Sequence, residues 1–133
     1  MKISKKAYYG MRAAIRLSAS KNPVSAHDLA ISEHLPADFL EKILQKLKKS
    51  GVVVAKKGVE GGYSLARGAD EISAWNVLSA LDSPFPRISP TPTPKGVLPC
   101  SIPSHCQTNE LWRVLEQKIE KTLSDITLDS LIR

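Results

Sequence analysis

The sequence lacks a long apolar segment, since no run of hydrophobic residues approaches the ~20 that a membrane-spanning helix needs. A secretory signal is also missing, because residues 8–16 carry two tyrosines and two arginines where its apolar region would lie. Only two cysteines are present, too few for the disulfide framework of a small secreted protein. No internal repeat is visible. We therefore expect a cytoplasmic protein with no membrane partner.

What the sequence does contain is the composition of one ordinary globular domain. Its 133 residues are 42% hydrophobic and 24% charged, which is enough to bury a sizeable core. Lysine and arginine number 19 against 13 acidic residues, so the net charge is +6. Residues 1–82 carry 13 of the basic and 8 of the acidic residues, and residues 83–133 carry the other 6 and 5. We expect the first two-thirds of the chain to bind a polyanion, with nucleic acid as the first candidate.

Capping residues and apolar spacing predict three helices at the start of the chain. The first is expected at about 4–20 with Ser4 as its cap, and a short second helix begins after Ser25. The third, at about 36–50, follows a break at Leu35-Pro36. On the first helix, the residues that share a face are Tyr8, Met11, Ile15 and Ser18. On the third, they are Leu40, Ile43, Leu44 and Leu47.

A β-hairpin is predicted after the third helix. The β-branched run at 52–54 and the alternating segment at 63–66 indicate two strands, joined by a basic, glycine-rich connection. Ser73 would cap a short fourth helix. Three short helices followed by a hairpin are typical of the winged helix-turn-helix. We therefore predict a mainly α fold with a small β-hairpin, in which residues 1–82 form a DNA-binding domain.

The composition changes after residue 82. Seven of the nine prolines lie between Ser83 and Pro103, so residues 83–107 are predicted to form a loop. A long final helix starts at about 108, and its apolar stripe exceeds what a chain of this length needs. We assign residues 108–133 to dimer formation, with packing on its own winged helix as the alternative. The expected interface residues are Leu111, Trp112, Leu115, Ile119 and Leu123.

The third helix is the candidate recognition helix, whose first residues would reach base edges in the major groove. A glutamate can accept a hydrogen bond from cytosine, and an aromatic ring can pack on a thymine methyl group. Lys42 to Lys57 contains six lysines and no acidic residue, which would neutralise phosphates, although a solvated helix face is the alternative. The slim cationic hairpin tip suits a minor groove, although its glycines could serve only the turn. The predicted DNA-binding residues are Ser25, Asp38, Phe39, Glu41, Lys42, Gln45, Lys56, Lys57, Gly58 and Tyr63.

Several segments of the chain carry motifs in a characteristic order. Residues 57–66 read KGVEGGYSLA, and residues 39–53 read FLEKILQKLKKSGVV. Together with residues 1–9, 72–81 and 111–128, they resemble the Rrf-type family of winged helix-turn-helix regulators, the group that includes IscR, NsrR and CymR. The resemblance implies a homodimeric bacterial transcription regulator on a pseudo-palindromic DNA operator. It implies neither an enzyme nor a protein with a small-molecule substrate.

Two positions acquire a role from this resemblance. Glu41 corresponds to a base-reading glutamate, and Lys57 to the wing arginine that enters the minor groove. Lysine is more strongly hydrated and lacks the planar fork of arginine, so insertion is expected to be weaker or the site preference different. Asp38 stands where IscR-like members have a small polar residue, so their operator is not transferred. A winged helix that binds protein is the alternative class, which the lysine run disfavours.

Cys100 and Cys106 carry the regulatory part of the resemblance. Their Cys-x5-Cys spacing before the final helix is that of family members that bind an iron–sulfur cluster with a third, upstream cysteine. Here Pro94 stands six residues before Cys100, so that cysteine is missing. A 2Fe–2S cluster usually takes four protein ligands. Candidates for the remaining places are His105, His27, His34, Asn109 and the first helix of a partner subunit.

Other chemistry is open to the same two thiols. They could hold Zn²⁺, form a dithiol–disulfide switch, or simply fill space. The first helix carries Tyr8 and Arg12, so the acidic or histidine ligands that some members place on the partner's first helix are not copied here. We expect a 2Fe–2S cluster as the cofactor, with ordering of the loop as the step that would reposition the DNA-binding domain.

Overall fold

The computed structural model describes residues 3–81 and 107–132. Its elements, in chain order, are α1 (Lys5–Ser18), α2 (Ala26–Glu33), α3 (Ala37–Lys49), β1 (Val53–Lys56), β2 (Gly62–Leu65), α4 (Ala74–Ala80), α5 (Gln107–Asp125) and α6 (Leu128–Leu131). The two strands pair antiparallel, with Val53 opposite Leu65 and Lys56 opposite Gly62. The prediction of a mainly helical chain with one small hairpin is confirmed. The four-residue helix α6 was not predicted.

Three serines begin helices as the sequence indicates. The hydroxyl oxygens of Ser4, Ser25 and Ser73 each accept a hydrogen bond, at 3.1 Å, from the backbone N–H three residues later. At α4 the cap is reciprocal, because Asn76 Oδ1 accepts from the Ser73 N–H at 2.9 Å. These caps satisfy backbone donors that a helix start otherwise leaves unpaired. The start of each of these helices is therefore fixed locally.

A tight turn joins α2 to α3. His34 ends α2 in the left-handed region, at φ 55° and ψ 46°, and Leu35 N–H donates to the Ala30 carbonyl at 2.9 Å. A left-handed conformation is uncommon for residues other than glycine, although histidine adopts it more often than most. Leu35 is buried directly after the turn. This turn fixes the direction in which α3 leaves the end of α2, and the two helices with the turn form the helix-turn-helix.

The core lies where α1, α3 and α4 meet the hairpin. The predicted apolar face of α3 is fully buried, as expected for Leu40, Ile43, Leu44 and Leu47. On α1, however, all the buried residues except Leu17 are small: Ala7, Gly10, Ala13 and Ala14. A Cβ atom at Gly10 would overlap the side chain of Leu81, so α1 packs very closely on the end of α4. On the predicted face of α1, Met11 and Ile15 are half-buried and pack against the edge of the core, whereas Tyr8 is 55% exposed.

The end of the chain returns to the first 81 residues. The Ile126 carbonyl accepts from Ala74 N–H at 2.7 Å, and Leu128 N–H donates to the Ile72 carbonyl at 2.9 Å. Asp129 N–H also donates to the Ala69 carbonyl at 3.2 Å. The Leu128 side chain has 0% exposure and belongs to the main core cluster. We call this pairing of residues 69–74 with 126–129 the C-terminal contact.

Candidate nucleic-acid interface

The solvent face of α3 carries the predicted recognition residues. Burial of the leucine and isoleucine face leaves Asp38, Glu41, Lys42 and Gln45 exposed on the opposite side. Phe39 differs from them, because its half-buried ring packs edge-on against Tyr9 of α1, with ring centroids 5.7 Å apart. The ring of Phe39 therefore helps to anchor the start of α3 on α1.

Lysines surround this face on two elements. Lys48 and Lys49 at the end of α3 are exposed, and Lys46 is half-buried. Lys56 and Lys57 are exposed on the hairpin. Gln45 and the three lysines at 46, 48 and 49 line a shallow pocket of about 450 Å³. Cations spread along one side of a helix and an adjacent hairpin can contact several phosphates of a duplex at once.

The tip of the hairpin is narrow because two of its glycines make a tight turn. Gly61 N–H donates to the Gly58 carbonyl at 3.0 Å, and Gly58 has a φ of +117°. A Cβ atom at Gly61 would overlap the carbonyl oxygen of Lys56. The tip residues Lys57 and Val59 project into solvent. We call residues 53–65 the wing.

The base of the wing is fixed on the segment before α2. Val24 and Tyr63 exchange backbone hydrogen bonds, at 2.9 Å from Val24 N–H and 2.7 Å from Tyr63 N–H. Gly62, at φ +150°, approaches so closely that a Cβ atom there would lie 2.5 Å from the Val24 carbonyl carbon. The hydroxyl of Ser25, a predicted DNA contact, is used in the α2 cap at this junction. A glycine is therefore required at both positions for different reasons: at position 61 by the turn at the wing tip, and at position 62 by the close approach to Val24.

A hydrogen-bond network joins the wing to α3. The Tyr63 hydroxyl donates to Glu41 Oε1 at 3.0 Å and accepts from Gln45 Nε2 at 3.2 Å. Gln45 Nε2 also lies 3.4 Å from Glu41 Oε1. Burial raises the pKa of Tyr63 above its ordinary value, and the hydrogen bond to Glu41 and the charge of Glu41 raise that pKa further. The hydroxyl therefore keeps its proton and remains a donor.

Sequence reasoning placed Glu41, Gln45 and Tyr63 on the DNA side as three separate contacts. It missed that they touch one another. Tyr63 lies 22 positions from Glu41 along the chain, so no helical or strand periodicity relates them. The sequence offered one indication of this contact: Glu41 and Gln45 were assigned to the recognition helix and Tyr63 to the hairpin beside it.

The predicted metal ligands Cys100 and Cys106, with His105 as a possible third, lie outside the described residues. Within residues 3–81 and 107–132, no group of three or more His, Cys, Asp or Glu side chains could hold a metal ion. The first helix of a partner subunit was a further candidate source of ligands. On this helix, Arg12 donates hydrogen bonds to Glu33 of the same chain, at 3.0 Å to Oε2 and 2.8 Å to the backbone carbonyl oxygen. The described residues therefore provide no metal site that is independent of the two cysteines.

The predicted dimer stripe lies on α5, which packs against α4. Leu111 is 56% exposed, and the other four stripe residues are half-buried. From Glu110 to Asp125, where the side chains are described, no α5 residue is fully buried. Among the described helices, α5 included, none is long and apolar enough to cross a membrane.

Comparison with known proteins gives consistent matches along the chain. The profile of the Rrf2 family, described as "Iron-dependent Transcriptional regulator", matches residues 3–133. IscR of Vibrio atlanticus, an HTH-type transcriptional regulator, is 32% identical over 100% of this chain and 76% of its own length. The structure of T. potens IscR superposes with a TM-score of 0.78 at 26% identity, covering 99% of this chain and 86% of that one.

A second solved structure is that of CymR, titled the global cysteine regulator of B. subtilis. It has a TM-score of 0.76 and 28% identity, and the match covers 98% of this chain and 95% of that one. These neighbours are winged-helix transcription regulators and not enzymes, so the predicted fold class is confirmed. The chain described here therefore belongs to the Rrf2 family of transcriptional regulators.

Proposed function

We propose that this protein is a homodimer that regulates transcription by binding a pseudo-palindromic operator through α3 and the wing. One observation carries the proposal: the Tyr63 hydroxyl bonds Glu41 and Gln45, so the helix and the wing form a single surface. That surface is flanked by exposed lysines on both elements. A surface of this kind can contact base edges and phosphates together.

Each part of the surface has a distinct role in this proposal. The solvent face of α3, with Glu41, Lys42 and Gln45, enters the major groove. The narrow wing tip places Lys57 at the minor groove, where a small cation-bearing turn is favoured by the negative potential. Lys48 and Lys49 neutralise phosphates, which gives affinity that does not depend on sequence.

Dimer formation is assigned to α5. Its apolar residues are half-buried at most on one chain, so a second copy would remove further apolar surface from water. A two-fold dimer presents two copies of α3, and successive major grooves on one side of a duplex are about 34–36 Å apart. The proposed operator therefore has two inverted half-sites about one helical turn apart.

For sensing, we propose chemistry at Cys100 and Cys106. α5 begins at Gln107, the residue after Cys106, so a change at that thiol acts directly on the first turn of the proposed dimer helix. A 2Fe–2S cluster is the first candidate, and its remaining ligands would come from His105, His27, His34, Asn109 or a partner subunit. A dithiol–disulfide pair is the second candidate, because two cysteines complete it without another donor.

The DNA-binding part of the proposal is tested by titrating duplex DNA at several salt concentrations. We expect steep weakening as salt rises. Lys57→Ala should lower affinity about tenfold, whereas Lys121→Ala, on α5 and paired with Asp125, should leave it unchanged. Failure to bind any duplex at ~50 mM salt, where basic DNA-binding proteins bind strongly, would contradict the proposal. A protein-interaction module would give that result.

The sensing part is tested on protein purified without oxygen. A cluster would give visible absorbance together with iron and acid-labile sulfide, and Cys100→Ser should remove all three. A thiol switch would instead give colourless protein whose DNA affinity changes between reduced and oxidised forms. Colourless, iron-free protein that binds DNA equally well with and without reductant would contradict both candidates.

A further inference from the structure

We infer that Tyr63 is a positioning residue for base reading, which orients Glu41 and Gln45 so that α3 selects a base with an exposed amino group. This inference rests on the proposed binding of DNA and extends it to the class of base that is read. Its basis is the geometry of the three side chains, which lie on two different elements.

The backbone of Tyr63 is held from both sides. On one side Tyr63 pairs with Ala55 in the hairpin, and on the other it exchanges two hydrogen bonds with Val24. The residue is only 8% exposed. The hydroxyl of Tyr63 is therefore held in one place. An exposed glutamate on a helix would otherwise sample several rotamers, and the hydrogen bond from this hydroxyl favours one of them for Glu41.

The network also decides which atoms of Glu41 and Gln45 remain for a base. A carboxylate only accepts hydrogen bonds, so the nitrogen of the Gln45 amide faces Glu41 Oε1. The same nitrogen donates to the Tyr63 hydroxyl, and that hydroxyl donates to Oε1. The polar side-chain atoms of Glu41 and Gln45 that take no part in these three hydrogen bonds are Glu41 Oε2 and the Gln45 carbonyl oxygen, and both are acceptors.

Two neighbouring hydrogen-bond acceptors on the protein favour a DNA base that presents a hydrogen-bond donor. In the major groove the base donors are the amino groups of cytosine and adenine, whereas guanine and thymine present acceptors there. A glutamine free to rotate would read adenine through both its nitrogen and its oxygen. Here its nitrogen is occupied, so the pair favours cytosine or adenine through the amino group alone.

The test begins with an operator selected by the wild-type protein from a pool of random duplexes. Glu41→Ala identifies the base pair that Glu41 reads, as the position at which discrimination is lost. At that position the preferred base is replaced by its analogue without the amino group, pyrimidin-2-one for cytosine or purine for adenine. The wild-type protein should lose about tenfold in affinity for the analogue.

Tyr63→Phe keeps the ring and removes only the hydroxyl. We expect this variant to discriminate the analogue severalfold less than the wild-type protein does, with an unchanged salt dependence. In a Glu41→Ala background the same substitution should not reduce discrimination at that base pair any further, because the carboxylate that Tyr63 positions there is gone. Tyr8→Phe, which removes an exposed tyrosine hydroxyl from α1, is the matched control and should behave as wild type.

The outcomes separate the inference from the proposed function. Unchanged discrimination in Tyr63→Phe overturns the inference, and so does an equal loss on every sequence, which indicates a purely structural role. If Tyr63→Phe fails to fold, 4-fluorophenylalanine at position 63, which fills the space of the hydroxyl without donating a hydrogen bond, decides instead, with weakened discrimination expected and unchanged discrimination overturning the inference. A wild-type protein that binds no duplex overturns the proposed function itself.

Discussion

The first 81 residues and helix α5 use apolar residues in opposite ways. In the first region, α3 buries its apolar face completely, and α1 packs against it through alanine and glycine. In the second, α5 has an apolar stripe of similar spacing, yet no described side chain from Glu110 to Asp125 is fully buried. The same pattern in the sequence therefore marks a fully buried core in one region and a partly covered surface in the other.

The difference indicates where the stability of a single chain resides. A fully buried leucine contributes about 1.5–3 kcal/mol through removal of its surface from water. Residues on α5 obtain only part of this, and the remainder becomes available if a second copy covers them. The exception at the end of the chain is Leu128, which lies beyond α5 but belongs to the core of the first region.

The largest effect is expected from Leu128→Ala. Because this side chain is fully buried, we expect the free energy of unfolding to fall by about 2–5 kcal/mol, measured by urea denaturation. The control is Leu131→Ala, three residues later and 45% exposed, which should cost less than about 1 kcal/mol. Equal effects of the two substitutions would show that the C-terminal contact is not part of the core.

A somewhat smaller effect is expected from Gly62→Ala at the base of the wing. The added Cβ atom meets the backbone of Val24 and Ser25, which cannot rotate away, and φ is +150°. We expect a loss of about 2–3 kcal/mol in thermal or urea unfolding. Gly58→Ala is matched, because Gly58 also has a positive φ, of +117°, but has open space around it. A loss as large at Gly58 would argue against the close approach to Val24.

An intermediate effect is expected from Arg12→Ala, which removes the link between α1 and α2. Arg12 donates to both the side chain and the backbone carbonyl of Glu33, and it is partly shielded from solvent. We expect a loss of about 1 kcal/mol of stability. Lys121→Ala removes an exposed ion pair within α5 and should have almost no effect. A larger loss of stability for Lys121→Ala than for Arg12→Ala would contradict the conclusion that the first 81 residues provide most of the stability of a single chain.

The smallest effect on the unfolding of a single chain is expected from Leu111→Ser on α5. Since Leu111 is already exposed, the stability of the monomer should change by no more than about 0.5 kcal/mol. Its effect should appear in self-association, as a shift toward monomer in sedimentation equilibrium. A dimer that is unaffected by Leu111→Ser and by Trp112→Ser would place the interface elsewhere.

Local features of the structure were predictable from the sequence. Ser4, Ser25 and Ser73 each cap the helix that follows, because the bond they make spans only three residues. The buried face of α3 followed from helical spacing, since its apolar residues are large and its other residues are polar. The wing followed from strand-forming residues around glycines.

Features that depend on contacts between distant residues were not predictable. Apart from Leu17, the buried residues of α1 are alanines and Gly10, which let another helix approach closely, and hydrophobic spacing gives such small residues little weight. The Tyr63 network joins residues 18 and 22 positions apart. The return of Leu128 to the core joins the two ends of the described chain, and only the folded packing reveals it.

The C-terminal contact also bears on the order in which the protein folds. Pairing Ala74 with Ile126 closes a stretch of about 50 residues, which costs at least about 3.5 kcal/mol in chain entropy before any contact offsets it. Contacts among α2, α3 and the wing close much shorter stretches, such as the 22 positions between Glu41 and Tyr63, so these elements can form first and the end of the chain can join afterwards. The amide hydrogen of Leu128 should then exchange with solvent sooner than that of Leu44, through an opening that leaves α1 to α4 intact.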